Sequence, residues 1–149
     1  MTRTLRISLL GDIAIQLGEE SLAGLPSRAA EALLIYLACN PRPVAREKLA
    51  ELLWAERSAA QALTNLRTIL TPLRRELGEY LIVTRQSLAF DHSRAHWLDA
   101  AEFERGYTAL DLARMTTLDE GRAQRLRAVL DLYQGDFLEG FYLKDGYGF

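Results

Sequence analysis

Residues Ala60–Leu77 read AQALTNLRTILTPLRREL. Leu63, Leu66, Leu70, Leu73 and Leu77 recur in steps of three and four. At about 100° per residue they make one apolar stripe, which predicts a helix with that stripe against a core. The opposite side carries Gln61, Thr64, Asn65, Thr68, Thr71 and Arg75, with Arg67 and Arg74 on the flanks. No acid falls on that outward face, whereas an ordinary solvated helix face mixes both signs of charge. Amides and hydroxyls suit base edges, and guanidinium groups suit phosphates or guanines, so the face has the chemistry to enter a DNA major groove. The competing reading is a surface helix that is merely basic. A coiled-coil seam shows the same leucine spacing but normally sustains it for three or four heptads, and here Gly78 ends the run.

Pro72 conflicts with the pattern. It has no N–H to give the carbonyl of Thr68 and its ring crowds that carbonyl, at a cost of about 3 kcal/mol in a continuous helix. A kink is expected there, or a break with Thr71 capping a fresh turn.

Upstream, Leu5, Ile7 and Leu9 alternate with polar residues, and after Gly11-Asp12 the alternation resumes at Ile13, Ile15 and Leu17. This period of two predicts a small antiparallel sheet with one apolar face that a helix must cover, with a further short strand near Ser21 and Leu22. Ser27 can cap a helix running to about Cys39, with Ala30, Leu33, Leu34 and Leu37 on one side. Pro43-Val44 leads into a shorter helix over about Arg46–Trp54. Three helices with brief connectors, the third one basic, form a helix-turn-helix arrangement. Downstream, Tyr80–Thr84 and Leu88–Phe90 are β-rich runs around Arg85-Gln86-Ser87, a hairpin with Leu81, Val83, Leu88 and Phe90 turned inward. A hairpin in that place is a wing, and Arg85 at its tip is positioned for phosphate or the minor groove, unless it is simply solvated.

Composition sets the frame. With 149 residues and 49% hydrophobic content the chain can bury a real core, which excludes a disordered protein. The net charge of -2 divides unevenly: residues 1–90 hold 11 Lys+Arg against 9 Asp+Glu, and residues 91–149 hold 7 against 11. Two units of different purpose are therefore expected. A single cysteine, Cys39, excludes a disulfide framework and is expected to pack within its helix. There is no apolar run of membrane-spanning length, and the first residues lack a signal-peptide pattern, so a cytoplasmic protein with no membrane partner is expected.

In the last third, Asp99–Leu112 and Leu118–Tyr133 read as two amphipathic helices, the second with Leu118, Leu126, Val129, Leu130 and Tyr133 on its packing face, together with Arg122 as an exception. Two antiparallel helices look like one unit of a helical repeat, and Tyr133, Phe137, Phe141 and Tyr142 are expected either to pack back onto the pair or to stay partly exposed as a contact surface for a partner or a further repeat. His92 and His96 stand four apart but lack a third ligand, so they are read as linker residues and no metal site is expected. No phosphate-cradling glycine loop, nucleophile beside a base, or informative carboxylate pair is present; neither enzyme nor cofactor is expected.

The run from Leu9-Leu10-Gly11 through Pro26-Ser27-Arg28, Ala32-Leu33-Leu34 and Tyr36-Leu37-Ala38 to Arg46–Leu49 and Leu52-Leu53-Trp54 resembles the N-terminal domain of the antibiotic regulatory protein (SARP) family, and Asn65-Leu66-Arg67 and Leu73–Leu77 continue it. The resemblance covers residues 5–91 and extends more faintly through Trp97-Leu98-Asp99, Phe103-Glu104 and residues 133–141. It implies an α+β chain: an OmpR-type winged helix-turn-helix over residues 1–91, with its small N-terminal antiparallel sheet and C-terminal hairpin. A short all-α, TPR-like start of a bacterial transcriptional activation domain would follow over residues 92–149. By that resemblance the DNA-facing residues are Asn65, Arg67, Thr68, Thr71, Arg74 and Arg75. The implied protein is a transcriptional activator whose partners are double-stranded DNA, RNA polymerase through the acidic tail, and a second copy bound side by side on direct repeats. Ala45 stands where the family commonly has a capping serine, Ala55 where it often has proline, and the turn Arg85-Gln86-Ser87 lacks the usual glycine. The chain reaches Phe149 before the family's helical repeats would be complete, so the activation domain is expected to be either truncated or reduced. The other reading of the same basic face is an interaction module docking an acidic protein partner.

Overall fold

A computed structural model describes residues 3–22, 27–110, 120–133 and 135. The chain forms an α+β fold divided into two compact units, one from Leu22–Ala95 and one joining the N-terminal strands to the described residues from His96 on.

The unit from Leu22–Ala95 contains the three helices and the hairpin. Helix α1 (Arg28–Ala38) starts where the Ser27 side chain accepts the Ala30 N–H at 3.1 Å. Cys39 forms its C-cap and is exposed, so the expected packing role within the helix is not what the residue does. A two-residue strand at Val44–Ala45 leads directly into α2 (Arg46–Leu53), whose N-cap Ala45 gives no side-chain hydrogen bond. Helix α3 (Ala59–Leu77) is capped by Ser58, which accepts the Gln61 N–H at 3.1 Å. It runs on through Pro72 as one helix, so the expected alternative of a break with Thr71 as a new cap is not found. Thr71 instead donates its hydroxyl to the carbonyl of Arg67 at 3.2 Å, as a mid-helix threonine does.

Ala62, Leu66, Leu70, Leu73 and Leu77 form the buried side of α3. Leu63, expected in that stripe, is half-buried, and Ala62 is buried in its place. After a 3₁₀ turn at Gly78–Tyr80 the chain forms the two hairpin strands, Leu81–Val83 and Ser87–Phe90. Leu81 faces Phe90 and Val83 faces Leu88. Leu88 and Phe90 are buried as expected, while Leu81 and Val83 are half-buried. Tyr80 is fully buried, its ring 5.9 Å from that of Phe90 and its hydroxyl donating to the Ala95 carbonyl at 2.8 Å.

In the other unit β1 (Leu5–Ser8) and β2 (Ala14–Leu17) pair antiparallel, Leu5 opposite Leu17 and Ile7 opposite Ile15, and β3 (Glu20–Ser21) extends the sheet beside β2. The alternation puts Leu5, Ile7, Ile15 and Leu17 in the interior. Numbering in chain order, the strand at Val44–Ala45 is β4, the hairpin strands are β5 and β6, and β7 is His96–Leu98. Strand β7 pairs parallel with β1, Leu5 opposite His96 and Ile7 opposite Leu98. The N-terminal sheet is thus mixed, in the order β3-β2-β1-β7, rather than purely antiparallel. His96 is a strand residue rather than a linker residue, and β1 takes its second neighbour from beyond residue 91.

Helix α4 (Asp99–Leu110) packs on β1 and β7, and α5 (Glu120–Asp131) packs on α4. Val129 is buried and Leu126 half-buried, but Leu130 is 54% exposed and leaves the expected packing face. Tyr133 is also largely exposed, with its ring 6.1 Å from that of Phe103. Leu118, Phe137, Phe141 and Tyr142 lie outside the described residues.

Candidate nucleic-acid interface

The α3 face begins with what the core takes. Once Ala62, Leu66, Leu70, Leu73 and Leu77 are buried, helical geometry turns Gln61, Thr64, Thr68, Thr71 and Arg75 the other way, and all five are exposed. At 3.6 residues per turn they fall within roughly 80° of arc and about 21 Å of helix length. Arg67 and Arg74 are exposed beyond one edge of that arc. Beyond the other edge lie Asn65, which is half-buried, and Glu76, which is exposed. Within the arc itself no side chain is acidic. Arg74 and Arg75 also sit in the last turn of α3, where cations favour the helix dipole, so part of their placement is structural.

Hydrogen bonds order this face along its length. Gln61 Nε2 donates to Asn65 Oδ1 at 2.8 Å, one turn on. Thr64 and Thr68 donate their hydroxyls to the carbonyls of Ala60 and Thr64, both at 3.0 Å. Since a carbonyl can only accept, each hydroxyl proton is committed to the helix, and each oxygen keeps lone pairs free to accept from outside. The amide pair leaves a donor on Asn65 Nδ2 and an acceptor on Gln61 Oε1. A row of this kind can offer acceptors, amide donors and flanking guanidinium groups to a surface rich in hydrogen-bonding edges and anions.

The hairpin brings Arg85 to its tip, and Arg85 and Gln86 are both exposed. The missing glycine is replaced by side-chain closure. Thr84 donates its N–H to the Ser87 carbonyl at 3.0 Å, and its hydroxyl oxygen accepts the N–H of Ser87 at 2.9 Å and of Gln86 at 3.2 Å. β6 also pairs with β4, Val44 opposite Leu88 and Ala45 opposite Ser87. Neither β4 nor the role of Arg46, which donates from both Nε and Nη2 to the Thr84 carbonyl at 3.0 and 2.7 Å, is visible in the residue pattern. The one clue is the β-branched Val44 between Pro43 and a helix start.

His92 and His96 do not share a helix face. His92 follows β6, with Nε2 3.0 Å from the Ala38 carbonyl, and His96 opens β7. Among the described residues no group of three or more His, Cys, Asp or Glu is placed to hold a metal ion. No helix among them is long and apolar enough to cross a membrane.

Three helices, the third with an exposed polar face, followed by a hairpin paired to the strand before the second helix, define a winged helix-turn-helix arrangement. A solved structure of Mycobacterium tuberculosis EmbR in complex with low affinity phosphopeptide is similar to this chain, with a TM-score of 0.70 and 22% sequence identity. The match covers 93% of this chain and 38% of that one, so this chain spans well under half the length of EmbR. At that identity the likeness is one of fold. No family model matches the chain, and no curated protein matches it.

Proposed function

We propose that this chain is a sequence-specific DNA-binding transcriptional regulator of the SARP type, with α3 entering the major groove and the β5–β6 hairpin acting as the wing. One observation carries the reading: α3 keeps its apolar side in the core and turns an acid-free row of Gln61, Thr64, Thr68, Thr71 and Arg75 to solvent. Asn65 and Thr68 are assigned to base edges, and Arg67, Arg74, Arg75 and Arg85 to phosphates or guanines. The fold likeness to EmbR and the family resemblance of residues 5–91 point the same way. In this reading residues 1–91 form the DNA-binding domain and residues 92–149 the start of a helical, TPR-like activation domain. RNA polymerase is the partner of the acidic tail, two copies sit side by side on direct repeats, and the protein acts in the cytoplasm as an activator.

Selection of bound duplexes from a random pool, followed by titration over a range of salt, tests this. A recovered motif bound with a steep salt dependence is the expected result. Failure to enrich any duplex, with binding confined to acidic protein surfaces, would replace the regulator by an interaction module.

A further inference from the structure

We infer that Arg46 is a positioning residue for the wing, holding the Thr84–Ser87 turn against the first turn of α2 so that Arg85 reaches a DNA phosphate from a fixed place. The inference deepens the DNA-binding reading above and rests on it.

Arg46 lies outside α3 and is half-buried at the start of α2. Its guanidinium donates twice to the Thr84 carbonyl, and its backbone N–H donates to the Gln86 carbonyl at 3.0 Å. One residue therefore grips the chain on both sides of Arg85. The backbone bond also satisfies the N–H of the first residue of α2, one of the donors at a helix start that have no partner within the helix. The fork of two N–H groups on one oxygen is a geometry that arginine has and lysine lacks. Arg85 itself makes no hydrogen bond or ion pair among the described residues, so its side chain is available while its backbone is held. A turn fixed before binding gives up less conformational freedom when it meets its target. The latch also ties the wing to the helix pair that carries α3, so phosphate contact and groove reading keep one register.

The test is a double-mutant cycle on the full chain with a duplex from the selection, using Arg46→Ala, Arg85→Ala, the double variant and Arg46→Lys. Affinity is measured across salt concentrations, with melting temperature and hydrogen exchange at Gln86 and Ser87 alongside. Arg85→Ala is expected to lower the magnitude of the salt slope by about 0.9, one phosphate. Arg46→Ala should lower it by the same amount, and the double variant should lose no more than either single one. Arg46→Lys, which keeps the charge but not the fork, should behave like Arg46→Ala, and both should speed exchange in the turn while leaving α3 protected. Additive losses, or a lysine variant that binds like the wild type, would overturn the inference, because Arg46 would then be a phosphate ligand itself. Loss of affinity that tracks melting temperature with an unchanged slope would overturn it too, leaving a stabilising contact only. A wild-type chain that binds no duplex at low salt removes the DNA-binding reading instead, so the two failures are distinct.

Discussion

The carboxylate of Asp99 accepts the backbone N–H of Leu9 through both oxygens, at 2.8 and 3.0 Å, across 90 positions of sequence. The same side chain accepts the N–H of Leu10 at 2.9 Å and that of Ala100 at 2.7 Å, and it is buried. It closes the end of β1 and starts α4 with one group. Gly11 follows at φ 99°, a left-handed conformation that lets the chain turn away immediately after the pinned residues.

Replacing Asp99 by alanine strands the buried N–H groups of Leu9 and Leu10 and the partly buried one of Ala100, and should cost about 2–4 kcal/mol. Asp99→Asn keeps one acceptor oxygen and should cost less. Urea unfolding followed by Trp97 fluorescence checks both, since Trp97 lies in the adjoining strand.

At Gly106 in α4 an added Cβ would collide with Cγ2 of Val129 in α5. Valine cannot swing clear as a long side chain would, so Gly106→Ala should destabilise by about 1–3 kcal/mol. Val129→Ala in the same chain should recover part of that loss, and thermal melts of the single and double variants measure the coupling.

On the proposed reading face, two kinds of contact should separate experimentally. Arg74→Ala and Arg75→Ala are expected to weaken binding to every duplex and flatten the salt dependence. Asn65→Ala and Thr68→Ala should instead change which sequences are preferred, by about 1–3 kcal/mol for each lost base contact. Repeating the duplex selection with each variant checks this, and identical behaviour of the two pairs would remove the assigned division of roles.

Asp91 supplies a pH marker. The hydroxyl and backbone N–H of Ser93 hydrogen-bond its carboxylate and hold its pKa below the usual aspartate range, with a smaller contribution from Arg94. A lowered folded-state pKa favours the folded form above the ordinary value of about 3.9, and the benefit fades as pH falls through the lowered value. NMR titration should find Asp91 ionised at pH values where unperturbed aspartates are protonated, and Ser93→Ala should shift its titration upward.

Much of the helical unit was legible from local pattern. The Ser27 cap, the ends of α1 and α2 within a residue, and the polar side of α3 all follow from spacing and capping chemistry, which act over one or two turns. What was not legible acts over distance. The parallel neighbour of β1 comes from a three-residue strand whose hydrogen bonds leave no periodicity to read. β4 is two residues long, and the grip of Arg46 on the wing is a side-chain bond across 38 positions. Leu130 departs from the expected packing face because an amphipathic count marks where apolar residues lie, not how wide a stripe the neighbouring helix covers.

For anyone preparing a minimal fragment of the proposed DNA-binding unit, β7 moves the scissors. A protein trimmed after the hairpin would strip β1 of its parallel neighbour and of the Asp99 clasp, leaving a row of bare backbone donors and acceptors. Such a margin invites strands from other molecules, so that fragment should precipitate or self-associate where one retaining His96–Leu110 stays in solution.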